Sequence, residues 1–329
     1  MDRVRSASSH HRSLLQPREP AFWVFASLVG YGALRMASVL TDLSAASRSG
    51  WALSWLLLVL YAIPVAVVVY RLDLYEREPL SLVGGAFVWG AFAATALALD
   101  AAGWDQIVAQ VGGRAFAMRW APAIAAPIVE EILKGAGIVL IYLIARDEVD
   151  DAMDGFVYGA ICGLGFAVVE DVVYFMAVFG GTPAGVFQGF YVRVLSSGLY
   201  GHVLYTGLVG LGIGSFVTRR EEGPFGRRLA VAAAYAGTGV LGHALWNAPW
   251  LPALTSAPAT FGEWAMLPLA LALRGMPLLV LVAVAVRAAS GRERRWLDGA
   301  LAGEVAVEQI SEDEVAVLRV PRRRRAEAR

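Results

Sequence analysis

Glu130 and Glu131, Glu170, His202 and His243 lie in the middle of apolar stretches of the chain. Carboxylates and imidazoles bind metals, take protons from water and return them to leaving groups. A charge at the centre of a bilayer costs roughly 2.5–3.5 kcal/mol on insertion scales, so such residues need a partner or a task. Here they come from four different stretches. In A-P-I-V-E-E-I-L-K-G, Glu130 and Lys134 are four residues apart and share a helix face. Lys134 is the only lysine among the 28 basic residues. An ammonium at that spacing pairs with one carboxylate and holds it ionised. Glu131 points about 100° away, toward a different neighbour.

The later stretches complete the set. In G-F-A-V-V-E-D-V-V-Y-F, Glu170 and Tyr174 face one way, and the phenol is placed to hydrogen-bond a carboxylate or a substrate carbonyl. His202 lies in G-H-V-L-Y-T-G and His243 in G-H-A-L-W-N, with Asn247 one turn later as a holder of the imidazole or an oxyanion donor. Each histidine is about 14 residues, or about 21 Å, into its stretch, which puts the two at one depth. These groups suit hydrolysis. Glu131 or Glu130 would act as general base on water, and the histidines would bind a metal or orient that water and the oxyanion.

The elements that must position these groups are membrane helices. The chain has 329 residues, 57% of them hydrophobic and 17% charged, with a mean hydropathy of +0.57. Apolar runs of about 20 residues match the thickness of a hydrocarbon core. Eight spans are expected: 21–40, 52–70, 82–100, 120–145, 153–179, 188–217, 229–250 and 264–287. The fold class is an all-α polytopic bundle, with its cavity between the fourth and seventh spans. With the N-terminus inside, the inner segments hold 21 of the 28 basic residues, which places both termini in the cytoplasm. Cys162 is the only cysteine and excludes an intrachain disulfide.

Three regions follow: an N-terminal tail over 1–20, a membrane domain over 21–287 and a polar tail over 288–329 ending in Arg322 to Arg325. The loop R-D-E-V-D-D-A-M-D, 146–154, reads as a solvated acidic turn. Gly155, Gly159 and Gly163 recur every fourth residue, the small-residue spacing that lets membrane helices pack closely.

Four motifs in order over 119–247 resemble the PrsW-type intramembrane proteases, a group related to the type II CAAX prenyl endopeptidases. They are R-W-A-P-A-I-A-A-P-I-V-E-E-I-L-K-G, D-G-F-V-Y-G-A-I-C-G-L-G-F-A-V-V-E-D-V-V-Y-F, H-V-L-Y-T-G and H-A-L-W-N. The resemblance implies an intramembrane endopeptidase that cuts a membrane-anchored protein, such as a single-span anti-sigma factor, in a bacterial cytoplasmic membrane. By position, Glu130, Glu131, His202, His243 and Glu170 would be catalytic, with Lys134, Tyr174 and Asn247 supporting them. His202, His243 and Glu170 form the implied ligand set for zinc or another divalent metal, and a metal-free glutamate mechanism is the other route the family suggests. The resemblance leads one to expect asparagine at the position of Asp171. The expected partners are that substrate and the lipid bilayer, and no nucleic acid.

Rival readings fit fewer residues. H-E-x-x-H and G-x-G-D are absent, and a serine site at Ser196-Ser197-Gly198 leaves Glu130, Glu131 and Lys134 without a role. An ion- or proton-coupled transporter would use the same buried ionisable groups. A non-catalytic scaffold of the same family would keep the motifs and not need the carboxylate chemistry.

Overall fold

The computed structural model describes residues 13–72, 77–101, 103–195, 201–218, 223–249 and 275–306. Among these the chain is all α, without strands. The helices are α1 (Pro20–Ala46), α2 (Arg48–Leu72), α3 (Leu80–Asp100), α4 (Trp104–Gly112), α5 (Arg114–Ile144), α6 (Ala152–Ala177), α7 (Pro183–Phe190), α8 (Gly201–Thr218), α9 (Phe225–Asn247) and α10 (Met276–Ala306). Helix α3 contains a π turn at Trp89–Ala94, and α7 runs on into another at Tyr191–Leu195.

Six helices, α1, α2, α3, α6, α8 and α9, are long and apolar enough by length and composition to cross a membrane. The chain is an integral membrane protein. At 31 residues, α5 is longer than any of these six, but Glu130, Glu131 and Lys134 lower its apolar character. Five of the expected spans coincide closely with α1, α2, α3, α6 and α9, and the fourth matches α5 once extended at its start. The stretch 188–217 is not one described helix: α7 with its π turn lies on one side and α8 on the other. Ser196, Ser197 and Gly198 lie outside the described residues, as does 264–274 of the last expected span. Helix α10 continues past residue 287 to Ala306.

Helix α6 is the central post, buried along nearly its whole length. Its N-terminus is fixed by a capping box. Asp151 accepts from the backbone N–H groups of Met153 and Asp154, and Asp154 accepts from that of Asp151. The acidic loop therefore has a structural task as well as a solvated side, and Asp154 is buried. By contrast α1, α2 and α9 expose Trp23, Leu34, Leu60, Ile63, Leu241 and Leu245. An apolar surface of that extent suits hydrocarbon rather than water.

The most extensive helix pair is α6 against α8. A Cβ on Gly155 would fall on the carbonyl oxygen of Gly210, and one on Gly163 would fall on that of His202. Only glycine permits this approach of backbones, and at Gly163 it brings the His202 backbone against α6. The two prolines of α5, Pro122 and Pro127, do not break it. Trp89, in the π turn of α3, donates to the Leu133 carbonyl at 2.9 Å and so holds α5 beside Lys134.

Candidate active site

Helices α5, α6, α8 and α9 bring all five expected catalytic residues into one cluster. Lys134 is at its centre, fully buried. Its Nζ lies 2.7 Å from Glu131 Oε1, 3.4 Å from Glu130 Oε2 and 2.9 Å from His202 Nδ1, and 4.0 Å above the Phe166 ring. The ammonium thus serves both glutamates, and its shorter contact is to Glu131 rather than to the residue four positions away.

Donor and acceptor capacity fixes the histidines. An ammonium only donates, so His202 Nδ1 accepts from it. His202 Nε2 then carries the proton and donates to Glu170 Oε2 at 3.0 Å. Glu131 accepts from Lys134 and from His243 Nδ1, the latter at 3.1 Å, on one oxygen, and from the Thr206 hydroxyl at 2.8 Å on the other. With its proton on Nδ1, His243 turns the lone pair of Nε2 toward Glu130 Oε2, 3.8 Å away. The two imidazoles meet edge to face with centroids 4.7 Å apart, and Tyr205 stacks on His243 at 5.1 Å. The two histidines expected at one depth therefore lie side by side. They sit near the start of α8 and near the end of α9 rather than at their middles.

The adjacent glutamates differ sharply. Glu131 is 1% exposed and engaged at both oxygens. Glu130 is 12% exposed, and its Oε2 is buried without a hydrogen-bond donor. Two acceptors, Glu130 Oε2 and the His243 Nε2 lone pair, face each other across a gap. Such a gap suits a species that donates to both or accepts electron pairs from both.

Glu170 also binds Arg193, whose Nη2 donates to Glu170 Oε2 at 2.5 Å and whose Nε donates to Asp171. The guanidinium lies 3.8 Å over the Tyr174 ring, so Tyr174 serves as a platform for Arg193. Asn247 Nδ2 donates to the Pro122 carbonyl at 2.9 Å, tying the end of α9 to α5 rather than holding His243. Asp171 is buried against Arg193. Arg193 and Thr206 were not among the expected residues. Arg193 is an ionisable residue inside an expected span, and Thr206 is four residues after His202; those were the available signals.

Comparison with known proteins identifies the family of the chain. Residues 78–301 match the family described as PrsW family intramembrane metalloprotease, about two thirds of the chain. The chain belongs to the PrsW family. It is 34% identical over 113 residues to Protease PrsW of Geobacillus kaustophilus (strain HTA426), an alignment covering 33% of this chain and 45% of that protein. No solved structure matches.

The PrsW family description implies a metal, and the residues fit one. Glu130, His202 and His243 each offer a ligand atom within 4.8 Å of the others. One carboxylate and two imidazoles suit zinc, and the orphaned Glu130 Oε2 is the kind of atom a cation would satisfy. Glu170, expected as a ligand, instead bonds His202 Nε2 and Arg193, and Glu130 takes the place beside the histidines. His202 would have to release Lys134 or Glu170 to bind an ion.

Proposed function

We propose that this chain is an intramembrane endopeptidase that hydrolyses a peptide bond of a membrane-anchored protein. The observation that carries this reading is the buried, undonated Glu130 Oε2 facing His243 Nε2 beside a lysine. A water between them would donate to both. Glu130 is then the base: it takes a proton as the water oxygen attacks the scissile carbonyl carbon, and it later gives that proton to the leaving amine. Glu131 keeps His243 in the Nδ1–H form and keeps Lys134 in place. Lys134 offsets the charge of the two glutamates. Of the two glutamates expected to serve as base, the reading favours Glu130, because its Oε2 has no hydrogen-bond donor while both oxygens of Glu131 are engaged.

A divalent ion such as zinc would be held by Glu130, His243 and His202, and would supply Lewis acidity toward water and carbonyl. A metal-free glutamate route has its own support: both ring nitrogens of His202 are already engaged. Metal analysis of the purified protein, with chelation and re-addition of zinc, separates the two. The substrate class is a membrane-anchored protein, with a single-span anti-sigma factor as the family-based candidate. The excess of arginine on one set of loops supports an orientation with both termini inside, and the family resemblance supports a bacterial cytoplasmic membrane.

The test is N-terminal peptide profiling of native membranes from cells carrying the wild type or Glu130→Gln at matched expression. New termini near a membrane span, present only with the wild type, are the expected result. Identical profiles under several envelope stresses would remove the reading and send attention to ion flux in liposomes, the transporter alternative.

A further inference from the structure

Beyond the motif residues, one cation is built into the edge of the site. Arg193 sits in the π turn Tyr191–Leu195, a geometry that recurs at functional positions. Its Nη2 donates to Glu170 Oε2 at 2.5 Å, its Nε donates to Asp171, and its plane covers Tyr174 at 3.8 Å. All three partners lie within five residues of α6, so the fork and the stacking face of the guanidinium are both in use. Glu170 Oε2 is the same oxygen that meets His202 Nε2 at 3.0 Å.

We propose that Arg193 is a positioning residue for the proposed hydrolysis: it fixes Glu170, and through Glu170 the imidazole of His202. The inference rests on the protease reading. Glu170 is 17% exposed at its side chain, so without Arg193 its carboxylate has water as a competing partner. The Nε2–H of His202 then loses its fixed acceptor. Lys134 is then the ring's one fixed hydrogen-bond partner, and the packing of Phe166, Tyr205 and His243 sets the ring angle without a polar anchor at Nε2. Asp171 is the anchor for the other arm of the fork, which gives this aspartate a task. Lysine brings the charge but has no fork to hold both carboxylates in one plane.

The test uses the full chain, labelled with 15N-histidine, in lipid nanodiscs at one fixed pH. The His202 resonances are assigned by their loss in His202→Gln. In the wild type, His202 Nε2 is expected as a protonated donor and Nδ1 as an acceptor, with one ring state. Arg193→Gln should shift the Nε2 signal and produce tautomer averaging. Arg193→Lys should be intermediate, and Asp171→Asn should move the signal in the same direction by less. In native membranes the termini made by the wild type should fall about 10–100-fold in Arg193→Gln, the usual range when a partner of a site residue is lost, with partial rescue by lysine.

Unchanged His202 resonances in Arg193→Gln overturn the proposal, as do shifted resonances with unaltered cleavage. If Arg193→Gln does not fold, Arg193→Lys and Asp171→Asn, which disturb the fork more gently, decide by the same two readouts. If the wild type produces no new termini while the resonances respond as stated, the protease reading fails and the positioning of His202 by Arg193 stands.

Discussion

Helices α6 and α8 meet in two unlike ways. Near the start of α6, Gly155 lies against Gly210 and Ala152 against Gly214, backbone on backbone. Near its end the same pair joins Glu170 to His202 inside a network of buried charges. The first contact is held by shape and the second by charge. Charge alone would not set the distance, because ion pairs tolerate a range of separations. The glycine contact sets it, and Gly163 against the His202 carbonyl is where the two kinds of contact join.

Gly210→Val is the most severe way to break this comparison. Its new side chain would fall on the Gly155 carbonyl, and backbone has little room to give. Here the added atoms meet backbone on the facing helix, so no rotamer relieves the clash and the two helices must part along their length. The expected outcome is loss of a monodisperse protein on size-exclusion chromatography in detergent. A well-folded variant with its cluster intact would show that shape is not what spaces the helices.

Within the charged region, Lys134→Met should come next. It leaves two carboxylates buried without their cation, a loss of about 3–5 kcal/mol. Thermal unfolding in detergent should show a large drop in midpoint. A midpoint near that of the wild type would mean that the cluster is more hydrated than its burial indicates.

The neighbouring glutamates offer a finer test. Glu130→Gln should lower cleavage about 10²–10⁴-fold, the range for a lost general base, while the unfolding midpoint changes little. Glu131→Gln should lower both, because Lys134, His243 and Thr206 all donate to it. Equal losses of stability would cancel the distinction drawn between a carboxylate with an undonated oxygen and one engaged at both oxygens. The smallest effect expected is that of Thr206→Val, which removes one donor to a buried carboxylate oxygen at about 1–3 kcal/mol. Thr206→Ser should restore most of it in the same unfolding measurement.

Much of the site was legible in the chain because ionisable residues inside apolar stretches are costly and therefore conspicuous. Glu130, Glu131, Glu170, His202 and His243 were found that way, and the structure gathers all of them. Their roles were less legible. The spacing of Glu130 and Lys134 suggested one exclusive pair, but a lysine side chain is long enough to serve residues three and four positions away together. Tyr174 was expected to hydrogen-bond a carboxylate or a substrate carbonyl, and Asn247 to hold the imidazole or act as an oxyanion donor. They bind Arg193 and Pro122 instead, because a helix face fixes a direction and not a partner.

The sequence by itself determined an all-α membrane protein, most of its helix positions and the residue types at its site. Hydropathy, helical period and the cost of burying charge are local properties, and each is written within a single stretch of chain. Only the tertiary structure decided that Glu131 is engaged at both oxygens while Glu130 Oε2 has no hydrogen-bond donor, and that Arg193 closes on Glu170. Those facts depend on which donors arrive from α6, α8, α9 and the π turn after α7. Hydrogen bonds act over about 3 Å, so their pattern exists only once the helices have packed.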